Sequence, residues 1–97
     1  MTNSTAAVRV LIPLALREHT GGIEEIGAEG ETIGTVIDSV LAEYPSLRRQ
    51  VFDDRGALRG YVNIYLNEDE FRTLSNGART QVQAGDTIMI VPSIAGG

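Results

Sequence analysis

Thr32-Ile33-Gly34-Thr35-Val36-Ile37-Asp38-Ser39-Val40-Leu41-Ala42-Glu43-Tyr44-Pro45 is the stretch on which the fold turns. Its apolar residues fall at 33, 36, 37, 40, 41 and 44, alternating steps of three and one, which makes a single stripe on a 3.6-residue period. Thr32 is placed to cap this helix and Pro45 to stop it. Gly34 costs the helix about 1 kcal/mol relative to Ala, and has two readings: a close approach of helix to sheet, or simple tolerance.

The segments on either side change period from 3.6 to 2. Val8, Val10 and Ile12 alternate with Arg9 and Leu11 ahead of Pro13, which predicts a half-buried strand. The Thr20-Gly21-Gly22 turn then leads to Ile23-Glu24-Glu25-Ile26, so the chain doubles back as a hairpin with a long loop. Beyond the helix, Leu47 to Phe52 reads as a short turn, Asp53-Asp54-Arg55-Gly56 as a loop, and Tyr61 to Asn67 as a strand with Val62, Ile64 and Leu66 on one side. Glu68-Asp69-Glu70 leads into Phe71-Arg72 as a short edge strand. Ala84-Gly85-Asp86 turns the chain into a last strand, Thr87 to Pro92. The expected order is β-β-α-β-β-β.

One amphipathic helix covers one face of such a sheet, so the expected class is α+β, a grasp with its other face bare. If Val8, Val10, Ile12, Val62, Ile64, Leu66, Ile88 and Ile90 meet the helix, alternation sends Leu11, Tyr65, Met89 and Val91 to the bare face. Such a cluster has two readings, an interaction patch or a site covered by loops; the first makes these four, with Ile94, the candidate partner interface.

The composition narrows the function. With 97 residues and no cysteine, the chain is expected to be one domain, 1–97, with its core at about 7–92 and a flexible tail at 93–97. Thiolate metal sites and cysteine nucleophiles are excluded, and His19 as the single histidine leaves no multi-histidine site, so no metal is expected and an enzyme is a poor reading. Beside its glycine turn His19 reads as a surface loop residue. Thirteen acids against eight basic residues, all arginine, oppose nucleic-acid or anionic-membrane binding and suit a basic partner. Glu68-Asp69-Glu70 reads first as a solvated run, then as a docking strip for a partner's arginines, and last as a divalent-cation or acid-catalysis group, because carboxylates on successive loop residues point apart. No stretch approaches a membrane span and Met1 to Ala7 is no secretory signal, so a cytoplasmic protein is expected.

The sequence ends Ile94-Ala95-Gly96-Gly97. Two residues without a Cβ make the thinnest possible peptide, able to carry an α-carboxylate down a narrow channel to a nucleotide phosphate. Pro92 cannot donate to a sheet ladder, so pairing tends to end there, and the five residues beyond it extend up to about 17 Å.

At these residues the chain resembles the ubiquitin-like sulfur carriers of the MoaD/ThiS group, and within it leans toward actinobacterial carriers of cysteine biosynthesis. The likeness runs from about Val8 to Gly97: Ile12-Pro13 then Leu16-Arg17, His19-Thr20-Gly21-Gly22, Val62-Asn63-Ile64-Tyr65-Leu66-Asn67-Glu68-Asp69, and Gly85 through Pro92 before Ala95-Gly96-Gly97. It implies a ubiquitin-like β-grasp, a mixed sheet packed on one main helix, and a protein co-substrate rather than an enzyme. An E1-like adenylyltransferase and sulfurtransferase, using ATP and magnesium, would adenylate the Gly97 carboxylate and convert it to a thiocarboxylate. Ala95, Gly96 and Gly97 would enter the partner's active site, and the carrier would bind no cofactor of its own. Nothing in the chain resembles a phosphate-binding glycine loop followed by lysine.

The resemblance also implies a sulfur-accepting synthase, pyridoxal-phosphate dependent in the cysteine pathway, and a metalloprotease that later processes the loaded carrier. Cofactor and thiolated-metabolite synthesis are other destinations. The alternatives are a molybdopterin-synthase small subunit, a ubiquitin-like modifier joined to target lysines, and a noncovalent β-grasp module that needs no free carboxylate.

Overall fold

The computed structural model describes residues 6–92. Gly97 and the other tail residues expected to act, Ile94, Ala95 and Gly96, lie outside them, as does residue 93.

Strand β1, Ala6–Leu11, is followed by a 3-10 helix, Leu14–Thr20, and by strand β2, Glu25–Gly30. Helices α1, Ile33–Glu43, and α2, Pro45–Val51, come next. Strand β3, Val62–Leu66, pairs with β4, Asp69–Glu70; short 3-10 turns at Phe71–Thr73 and Gly77–Arg79 then lead to β5, Thr87–Pro92. The sheet order is β2-β1-β5-β3-β4, and β1 and β5 run parallel at its centre while the remaining pairs are antiparallel. A mixed sheet closed on one side by helices is the α+β grasp that the alternation of periods implied.

The eight sheet residues assigned to the covered face are all buried, and they meet Ile33, Val36, Ile37, Val40 and Leu41 of α1. Each such aliphatic side chain contributes roughly 1.5–3 kcal/mol by leaving water. Thr32 caps α1, its Oγ1 accepting from the Thr35 amide at 3.2 Å.

Four local expectations change. The second strand starts later and runs further than Ile23 to Ile26, because the segment from Leu14 winds as a 3-10 helix that ends at left-handed Gly21, φ 69°. Thr20, 2% exposed, ties that turn together by donating to the Ile23 carbonyl at 2.8 Å. Pro45 stops α1 and also starts α2, since a proline at the first helical position loses no hydrogen bond; the expected short turn is therefore a full helix that adds Leu47 and Val51 to the core. The edge strand is Asp69–Glu70, and Phe71-Arg72 leave it as a 3-10 turn. His19 is half-buried, its Nδ1 lying 3.1 Å from Ser46 Oγ of α2, so it joins the first loop to that helix.

Candidate functional site: the bare sheet face at the end of β5

The parallel pairing of β1 with β5 builds the site. Leu11 stands opposite Met89, Met89 opposite Tyr65 on β3, and Asn63 opposite Val91. Cross-strand partners share a face, so Leu11, Met89 and Tyr65 form one apolar row over the three central strands, with Val91 above it toward the end of β5. Met89 is 38% exposed and the other three are half-buried. Four of the five residues expected at the interface are thus brought together, and the fifth, Ile94, lies outside the described residues.

A hollow of about 390 Å³ opens where this row meets the end of β1, lined by Leu11, Pro13, Arg17, Glu24, Met89 and Val91 among others. Arg17 is fixed at its rim, its Nε donating to the Ile12 carbonyl at 2.9 Å. On the other side of β5, Arg72 donates to Asn63 Oδ1 and, at 2.9 Å, to the Arg59 carbonyl. A guanidinium is therefore held beside the cross-strand partner of Val91. The end of β5 lies between these two features, with Pro92 opposite Val62 of β3.

Pro13, Arg17, Asn63 and Arg72 are not among the interface residues that the sequence predicts. Their placement depends on which strands are neighbours, and no local pattern announces that β1 and β5 pair. Among the described residues no group of three or more acidic or histidine side chains is arranged to hold a metal ion. None of the helices there is long and apolar enough to cross a membrane.

The ThiS family model matches residues 10–97. The sulfur carrier protein CysO of Mycobacterium tuberculosis is 40% identical over 92 residues, covering 93% of this chain and 98% of that protein. The solution structure of small archaeal modifier protein 1 from Methanosarcina acetivorans superposes with a TM-score of 0.82 at 32% identity, covering 98% of this chain and all of the other. The Amycolatopsis orientalis BexX/CysO complex provides a chain at TM-score 0.81 and 34% identity, covering 93% of this chain and 99% of its own. With the ubiquitin-like grasp, the bare apolar row beside β5 and a match over nearly its whole length, the chain belongs to the ThiS family.

Proposed function

We propose that this protein is a sulfur carrier, a co-substrate worked on by partner enzymes. The observation that carries the reading is the position of β5: the strand preceding the diglycine runs through the centre of the bare face and ends at Pro92 beside the apolar row. The folded body can dock by that face while residues 93–97 reach up to about 17 Å into a partner. The similarity to CysO and to a chain crystallised in a BexX/CysO complex supports a role performed in contact with another protein.

In the proposed cycle an E1-like enzyme joins the Gly97 carboxylate to the α-phosphate of ATP with magnesium, releasing pyrophosphate. Hydrosulfide then attacks the acyl carbon, the bond to AMP breaks, and the thiocarboxylate remains on Gly97. Activation is needed because a resting carboxylate is a poor electrophile, and the mixed anhydride supplies a leaving group. ATP and magnesium belong to the partner; in the proposed cycle a cysteine-pathway synthase accepts the sulfur of the thiocarboxylate and a metalloprotease later processes the carrier, in the cytoplasm.

Intact-mass measurement after incubation with ATP, magnesium, sulfide and the activating enzyme of the same cell tests this reading. The expected result is exchange of one oxygen for sulfur in the native chain and none in a chain lacking Gly97. The likeness to an archaeal modifier protein favours a second reading, amide formation between Gly97 and target lysines. Protein conjugates without any thiocarboxylate would establish that reading instead.

A further inference from the structure

The apolar row does not end at Leu11 and Tyr65. Leu11 pairs outward with Glu25 of β2, and Tyr65 pairs outward with Glu70 of β4. One continuous row therefore crosses all five strands in the order Glu25, Leu11, Met89, Tyr65, Glu70, with a carboxylate at each end. At a strand spacing of about 4.8 Å, four intervals set the two carboxylate-bearing strands about 19 Å apart.

Among the described residues, neither acid is consumed by the fold. Glu25 lies 3.7 Å from Arg9 in an ion pair between side chains that are 48% and 57% exposed, a contact too solvated to hold it. Glu70 uses its backbone carbonyl to accept from Thr73 Oγ1, which leaves its carboxylate outside that bond. The neighbouring acids are placed differently. Asp69 pairs with buried Leu66 and so belongs to the other face, and Glu68 lies in the turn before β4. Of the run 68–70, only Glu70 stands in the row.

Building on the carrier reading, we infer that the row is a charge-bracketed docking strip, and that its occupant is the activating enzyme, presenting an apolar ridge with an arginine or lysine at each end. The apolar centre supplies contact area, and the two carboxylates fix orientation along the row. They also reject surfaces that carry acids at that spacing. Such charges act mainly on the association rate and its salt dependence.

The test is the association rate of the full chain with the activating enzyme of the same cell, at low and high salt, for Glu25→Arg, Glu70→Arg, the double variant and Glu43→Arg. Glu43 lies at the end of α1, on the covered side, and gives the same change in net charge. At low salt each single change is expected to slow association about tenfold and the double change more, with a reduced salt dependence, while Glu43→Arg stays near the unaltered rate. A double variant that associates like Glu43→Arg overturns the bracket. Thiocarboxylate formation by the unaltered chain, followed in parallel, separates the two ideas: its absence overturns the carrier reading, whereas its presence with an unaffected double variant overturns the bracket alone.

Discussion

Gly34 of α1 lies so close to Ala78 that a Cβ at position 34 would stand 3.1 Å from both the Cβ and the carbonyl oxygen of Ala78. Of the two readings of this glycine, close approach is the one that holds, but the neighbour is the 3-10 turn before β5 rather than the sheet. That loop cannot swing away freely. Its Thr80 carbonyl accepts from the Ile33 amide at 3.0 Å, and Gln81 bridges Thr32. Gly34→Ala gains about 1 kcal/mol of helix propensity but overpacks this contact at about 1–3 kcal/mol. Denaturant titration is expected to show a net loss of about 1 kcal/mol, and a stabilised variant would show that the loop yields.

Thr32 serves both the helix and that loop, capping Thr35 and bridging Gln81. Thr32→Ala is expected to cost about 1 kcal/mol, and about 4–8 °C of Tm in a domain this size. Thr32→Ser keeps the capping oxygen and is expected to recover most of the loss. Equal melting of the two variants would move the effect from the cap to the threonine methyl.

What could be read from the sequence was whatever repeats locally. Alternation assigned Val8, Val10, Ile88 and Ile90 to one face and Leu11, Met89 and Val91 to the other, because side chains in a strand change face at each residue. The 3.6-residue stripe assigned α1 for the same reason. The neighbour relations were hidden. Parallel β1–β5 pairing joins residues 78 apart, such as Val10 and Ile88, and without it Asn63, Arg72 and the bracketing acids have no common location. Pro45 misled in a different way, since one residue both closes α1 and opens α2.

Asp53 organises the loop after α2, its Oδ1 accepting from the Arg55 and Ala57 amides at 2.9 and 3.0 Å. The Ala57 bond, then the Arg55 bond, hold its carboxyl below the ordinary aspartate value of 3.8. A depressed folded pKa stabilises the fold above the unfolded pKa, and that contribution fades as pH falls through the folded value. Asp53→Asn keeps an acceptor oxygen and removes the charge. It is expected to be less stable than the parent near neutrality, with the gap closing as pH drops below about 4. A gap independent of pH would assign the effect to the altered side chain rather than to its charge.

Met89 and Ile90 are neighbours in sequence and opposites in role. Ile90 is fully buried against the helices, whereas Met89 is 38% exposed between Leu11 and Tyr65. Ile90→Ala should therefore cost about 2–5 kcal/mol through lost contacts and the cavity left behind, and should reduce sulfur loading only as far as it unfolds the chain. Met89→Glu places a charge at the middle of the proposed docking row, where water reaches it in the free protein but a partner would have to desolvate it. Its melting temperature is expected to stay near that of the parent, while association with the activating enzyme weakens by at least about tenfold, a modest penalty for a charge buried without a partner. Thermal melts and binding titrations on the same two variants check the assignment. Cooperative unfolding lost in Met89→Glu would put Met89 in the core, and unchanged binding by a well-folded Met89→Glu would move the docking surface off this face.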